Sequence, residues 1–256
     1  MNKDAIKNIH NHILKIASME RAETALWFFK TGKGEYGEGD KFLGLTVPQT
    51  RKLARAYSDI TLKETEELLH SEFHDERLLA LIILNNKFEK TESPNFNKEV
   101  ETQQEIRKEI FDLYLKNIKK KINNWDLVDT SAPKIVGGYL SGLKNKNEIK
   151  DILLKLSESE NIWENRVAVI STFYFIVKEN NYKYTIELVK KLLTHEHDLI
   201  QKANGWMMRE IFKRIDQDVI RDFIKKNYKN IPRTTLRYSI EKMHEEERKR
   251  YLKGEF

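Results

Sequence analysis

Trp125 and Asp129 stand four residues apart in the stretch NNWDLVDTSAPKIVGGY, residues 123–139. On a helix that spacing puts both side chains on one face, an aromatic surface beside a carboxylate, while Leu127 and Val128 point elsewhere to pack. Asn124 reads as the cap of that helix. Ser131 reads as the cap of a following one, with Pro133 in its first turn. Asp129 would then lie near a helix N-terminus, whose partial positive charge keeps a carboxylate ionised and accepting hydrogen bonds. The same residues also fit a plainer assignment, with Asp129 a second capping group, Trp125 a core plug and Asp126 a first-turn charge.

Two more tryptophans repeat part of the pattern. Trp206 follows Gly205 in HDLIQKANGWMMREIFKR, and Arg209 lies three residues on. A glycine inside a helix costs about 1 kcal/mol against alanine and marks a close approach by another body. Trp163 and Arg166, in NIWENRVAV, have the same Trp-x-x-Arg spacing. From residue 202 onward fifteen Lys and Arg face nine Asp and Glu, so the last quarter carries the whole formal excess of +6. Together these features suit a groove that holds a polyanion beside a cationic or aromatic group. A basic excess alone fits the solvated faces of lysine-rich helices equally well.

Other chemistries find little support. The chain has no cysteine, which excludes disulfides and thiolate metal sites. His10 and His12, like His195 and His197, alternate in sequence and would point apart on a helix; HExxH is absent, so no metal is expected. GKGEYGEG lacks the Gly-Lys-Ser/Thr ending of a P-loop, and Glu35, Glu38 and Asp40 make it a poor phosphate cradle. A structural, capped loop is the expectation, with no cofactor. The N-terminal residues form no apolar signal core, and no apolar run reaches membrane-spanning length, so a soluble cytoplasmic protein is expected.

Only four prolines and ten glycines punctuate 256 residues rich in Leu, Ile, Lys and Glu, which favours helices joined by short turns. Apolar residues recur at helical spacing over 4–30, and further helices are expected over 48–57, 61–70, 74–88, 100–119, 124–130, 132–143 and 148–156. The series continues over 162–179, 182–193, 198–214, 217–227, 233–244 and 246–252, with Pro48, Thr61 and Pro232 marking starts. Residues 91–104 read as an exposed connector. A faint repeat links Arg77, Arg166 and Lys202, each early in an apolar helix, at separations of 89 and 36 residues. Stacked helix pairs of that period form a solenoid with a concave surface. The expected fold is all-α, a HEAT-like helical-repeat solenoid with a concave basic surface, in one domain over 1–256.

NNWDLVDTSAPKIVGG, IWENRVAV, HDLIQKANGWMMRE and FFKTGKGEYGEGDKFLGLTVP, in that set of positions along the chain, resemble the AlkD-like DNA alkylation repair family. The resemblance implies a repeat scaffold holding duplex DNA, and a DNA glycosylase releasing cationic 3-alkyl- and 7-alkylpurines without flipping the base. It implies Asp129 as the catalytic aspartate, Trp125 and Trp206 as tryptophans facing the deoxyribose, and Arg166 as a backbone contact. Arg209, Lys202 and Trp163 are the further expected DNA contacts. No lysine nucleophile is implied, hence no strand cleavage, and a monomer associated with the nucleoid is expected. The family also holds branches that keep the scaffold and lose excision, so a non-catalytic DNA-binding scaffold stands as an alternative. A HEAT-type protein-interaction module is the other.

Overall fold

Capping chemistry within a few residues sets many of the helix starts. Thr46 and Gln49, and Thr61 and Glu64, each form a reciprocal box in which side chain and backbone cap one another. Asn124, Asn145, Asn161 and Asp216 accept from the N–H groups just inside their helices. The computed structural model describes residues 3–93, 96 and 99–256. Their regular structure is helical, apart from one isolated backbone bridge between Lys41 and Phe73. Among the described residues no helix is long and apolar enough to cross a membrane.

The chain divides into two compact units, Met1–Ile135 and Val136–Phe256. The first holds α1 (Lys3–Ile16), α2 (Met19–Phe28), α3 (Val47–Ala56), α4 (Leu62–Leu69), α5 (His74–Thr91), α6 (Val100–Lys121) and α7 (Trp125–Ala132). Its core is built on α5, which packs against α3, α4, α6 and α7 and buries Leu79, Leu81, Ile83 and Leu84. The second holds α8 (Gly138–Ser141), α9 (Lys146–Ser157), α10 (Ile162–Ser171), α11 (Phe173–Lys178) and α12 (Lys183–Lys191). It ends with α13 (Asp198–Arg214), α14 (Gln217–Asn227), α15 (Arg233–Ser239) and α16 (Glu245–Lys253). There α13 is the central element, packed against α10, α11, α12, α14 and α15.

Several expected elements are subdivided. The run over 4–30 breaks at Ser18, which caps α2, and the run over 162–179 breaks at Thr172. Of the expected connector, residues 94, 95, 97 and 98 lie outside the described residues. The proposed new helix start at Ser131 does not exist. Ser131 is buried inside α7, and the chain continues through a π-helical turn, Pro133–Gly137, into α8. Proline has no N–H for the carbonyl four residues back, and widening the turn by one residue is how the helix accommodates it.

The repeat has a sharper form than charge spacing gives it. Ser71 accepts the Phe73 N–H at 3.0 Å, Ser159 accepts the Asn161 N–H at 3.0 Å, and His195 accepts the His197 N–H at 3.1 Å. In each turn the residue six places on donates back to that residue's carbonyl: Arg77 to Ser71, Asn165 to Ser159, Gln201 to His195. The same device thus opens α5, α10 and α13. It aligns Arg77 with Asn165, so pairing Arg77 with Arg166 is out of register by one residue.

Candidate active site

On α7, Trp125 and Asp129 are both partly exposed, while Leu127 and Val128 are fully buried. The helical spacing therefore puts the aromatic face and the carboxylate at the surface together, as expected. The electrostatic reason differs. Asp129 sits mid-helix, with no adjacent N-terminus to stabilise it. What lies beneath it is a buried phenol: Tyr114 is fully buried, its hydroxyl 2.9 Å from Ser131 Oγ. Ser131 spends its own proton on the Leu127 carbonyl, so Tyr114 is the donor of that pair. Burial, with Asp129 adding to it, pushes the Tyr114 phenol well above its usual range and keeps it neutral. Asn85 donates to the Thr130 carbonyl at 2.9 Å and ties the turn after Asp129 to α5.

Trp125 rests on residues far away in sequence. Its ring stacks on Phe29 at 5.6 Å and meets Phe28 edge-on at 5.8 Å. Phe29 in turn meets the His74 ring at a tilt, 4.8 Å away, and Phe42 stacks on His74 at 4.7 Å. His74 Nε2 lies 2.8 Å from Asp126 Oδ2 and Nδ1 lies 3.1 Å from Asp40 Oδ2. Arg77 donates to Asp40 Oδ1 at 2.6 Å. Beside this foundation Trp27 and Phe28 are 75% and 52% exposed, large values for aromatic side chains.

The glycine-rich loop is what carries Asp40 and Phe42 into place. Glu35 and Glu38 accept the N–H groups of Gly32 and Gly34 at 2.8 Å, capping the loop from within. Asp75 takes the N–H groups of Leu43 and Leu45, both at 2.7 Å. At Gly37 a Cβ would lie 2.4 Å from the Phe29 carbonyl, so only glycine lets the loop close onto α2. The loop is structural, as its acidic composition indicates. Asp40, Phe42, His74 and Arg77 escape a reading by motif; the one signal for them is an H-D-E-R run opening an otherwise apolar helix.

In the second unit Trp206 is also partly exposed. Its indole N–H donates to Glu210 Oε1 at 3.2 Å, and its ring lies 5.9 Å from Phe173. Arg214 donates to Glu210 Oε2 at 2.7 Å and covers the Phe173 ring at 5.7 Å. Gly205 does mark a close approach, but the approaching body is α15: a Cβ there would lie 2.5 Å from Tyr238 Cβ and 2.6 Å from the Thr235 carbonyl.

The remaining expected contacts fare differently. Trp163 is 6% exposed and belongs to the core, because α10 is buried on nearly every side, from Asn165 through Ser171 without a break; a surface role is corrected. Arg166 is 4% exposed and donates to the Leu199 carbonyl at the start of α13, which makes it an internal tie in place of a surface cation. Arg209 pairs with Glu241 and lies 3.6 Å from Glu210, and Lys202 pairs with Asp198 at 2.7 Å. Lys213, Lys226, Lys229 and Arg237 are exposed and make no ion pair among the described residues. The paired histidines serve as partners within the fold: His10 to Glu76, His12 to Tyr57, and His195 and His197 as acceptors of backbone N–H groups.

No curated protein sequence matches the chain. Among solved structures, one described as a predicted DNA alkylation repair enzyme from Enterococcus faecalis superposes with a TM-score of 0.63 at 17% identity. The match covers 90% of this chain and 97% of that one, and at such identity it shows a shared fold. A family described as DNA alkylation repair enzyme matches residues 9–243, nearly the whole sequence, and the chain belongs to that family.

Proposed function

We propose that this protein is a monofunctional DNA glycosylase that hydrolyses the N-glycosidic bond of cationic 3-alkyl- and 7-alkylpurines in duplex DNA. The observation that carries this reading is Trp125 and Asp129 side by side on α7, both partly exposed, with Trp125 resting on part-buried rings that lead to the buried His74, Asp40 and Arg77. An alkylated purine already bears positive charge, so the C1′–N bond breaks with its electron pair passing to the base, and no acid need assist. Positive charge then builds on the sugar. A carboxylate fixed beside C1′ stabilises that charge and orients water, which bonds to C1′ as it releases a proton.

Trp125 lies against the deoxyribose in this reading, and Trp206 is assigned a second DNA-facing contact through the exposed part of its ring. Phosphate contacts suit Lys213, Lys226, Lys229 and Arg237 better than Arg166, Arg209 or Lys202, each of which is already engaged by a protein acceptor. Contacts to sugar and phosphate leave the base stacked or turned to solvent, so no base-flipping pocket is required. The protein acts as a monomer on cytoplasmic DNA and needs no cofactor for this chemistry.

Incubation with duplex DNA containing 7-methylguanine, followed by assay of free base, tests the proposal. Asp129→Asn should slow release about 100-fold or more while duplex binding is retained. Undiminished turnover by that variant overturns the assignment. Salt-sensitive binding without release by the unaltered protein would favour the non-catalytic scaffold, and absence of both would favour a protein-interaction module.

A further inference from the structure

Position 74 is where the first of the three recurring turns departs from the other two. The accepting residue at the turn and the residue donating back six places later recur each time, but the counterparts of His74 are Ile162 and Asp198. His74 is therefore not required by the repeated architecture. Its ring is buried, with Phe42 stacked on it and Phe29 packed against it at a tilt. Each ring nitrogen faces a carboxylate oxygen, Asp126 on α7 and Asp40 in the glycine-rich loop. Ionised carboxylates only accept hydrogen bonds, so both nitrogens must donate and the ring is an imidazolium. His74 is the hydrogen-bond partner that Asp126 has: its other oxygen, Oδ1, is buried with none.

We infer that His74 is a positioning residue for the proposed reaction: it fixes the first turn of α7 through Asp126 and the Trp125 ring through Phe29, and so sets where Asp129 stands against the sugar. The inference rests on the glycosylase reading above. His74 touches four segments at once: the end of α2, the loop, the start of α5 and the start of α7. Asp126 is next to Trp125 and three residues before Asp129, within one helical turn of both. The charged groups facing the ring are Asp40 from the loop, Asp126 from α7 and Arg77 from the next turn of α5. Burial alone would lower the His74 pKa, but the two carboxylates outweigh burial and Arg77 and raise it to about 9.

The test compares single-turnover base release and duplex affinity for His74→Gln, His74→Arg, Asp126→Asn and the unaltered protein, all on one substrate so that titration of the DNA cancels. His74→Gln should lower the rate at saturating DNA about 10- to 100-fold with little change in affinity, and should abolish an alkaline limb near pH 9 seen with the unaltered protein. His74→Arg, which restores a cation with several donors, should recover part of the rate. An unchanged rate and pH profile in His74→Gln, or rate and affinity falling together, overturns the inference. If His74→Gln fails to fold, Asp126→Asn should give the same split between rate and affinity. Imidazole ¹⁵N spectra of the unaltered protein decide independently of activity: two protonated nitrogens at pH 8, titrating with the Trp125 indole signal, support the inference, and a neutral ring overturns it. Absence of base release by the unaltered protein defeats the glycosylase reading, while those spectra still report on His74.

Discussion

Trp125-Asp129 and Trp206-Glu210 are the same local arrangement, a tryptophan with a carboxylate four residues later on one helix. The two units use it in opposite ways. Glu210 is buried and committed inward, accepting from the Trp206 indole and from Arg214, with Arg209 close by. Its ring of contacts, Trp206 to Glu210 to Arg214 to Phe173 and back, closes almost within α13. Asp129 keeps an exposed edge, and Trp125 takes its support from Phe29, Phe28 and the His74 cluster far off in sequence. Glu210 thus holds its neighbour's N–H, whereas Trp125 is held from behind by rings of other segments.

The sharpest way to break that contrast is to neutralise both carboxylates. Asp129→Asn should cost roughly 10²–10³-fold in base release and leave thermal stability nearly unchanged. Glu210→Gln should leave the chemical step in place and instead cost about 1–3 kcal/mol of stability, because it weakens the hydrogen bonds from Arg214 and the Trp206 indole and removes the charge facing Arg209. Equal losses of release in the two variants would mean that the contrast between inward and outward carboxylates does not divide their roles.

Next in size is a pH effect confined to the Trp125 side. The folded pKa of His74 is about 9, above the ordinary 6.5 of an unfolded histidine. A raised pKa contributes stability that is complete below about pH 6.5 and is lost as pH rises through about 9. The loss should be about 3 kcal/mol, read as a falling urea midpoint between pH 7 and 10, and His74→Gln should flatten it. Around Trp206 the polar neighbours are Glu210, Arg209 and Arg214, with no histidine in contact among the described residues, so its fluorescence should not follow the transition.

How much of this was legible follows from how local each feature is. Asn124 as a cap, Thr61 with Glu64, and the shared face of Trp125 and Asp129 are all set within four residues, and reading them needs only helical geometry. The His74 links to Asp40 and Asp126 span 34 and 52 residues, and nothing in either segment announces the other. Ser131 misleads because proline normally ends a helix, and the sequence does not display the wider turn that absorbs it. Trp163 and Arg166 mislead because their spacing copies Trp206 and Arg209, whereas the burial of nearly all of α10 decides their fate. Gly205 was correctly legible as a close approach, but not the identity of the helix that makes it.

A smaller effect separates the two aromatic supports. Phe29→Leu removes the ring between Trp125 and His74, and should cost about 1 kcal/mol through lost stacking while raising the mobility of Trp125. Phe173→Leu removes a ring near Trp206 but leaves its indole hydrogen bond to Glu210, so fluorescence anisotropy of Trp206 should change less. Comparable loosening at both tryptophans would show that ring packing, not the hydrogen bond, holds Trp206.

The smallest effect bears on which cations of the second unit meet DNA. Arg209 must leave Glu241 before it can serve a phosphate, whereas Arg237 is exposed and makes no ion pair among the described residues. Exchanging one carboxylate partner for one phosphate changes little in net interaction, because desolvation and counterion release are already spent on the first pair. Arg237→Ala should therefore lower the salt slope of duplex binding by about one, with a uniform loss across DNA sequences. Arg209→Ala should change that slope by distinctly less, since that guanidinium is already paired with Glu241, which keeps Lys242 as a partner. Duplex affinity titrated over a range of salt concentrations distinguishes the two, and a larger slope change for Arg209 would mean that its pairing with Glu241 is given up on binding.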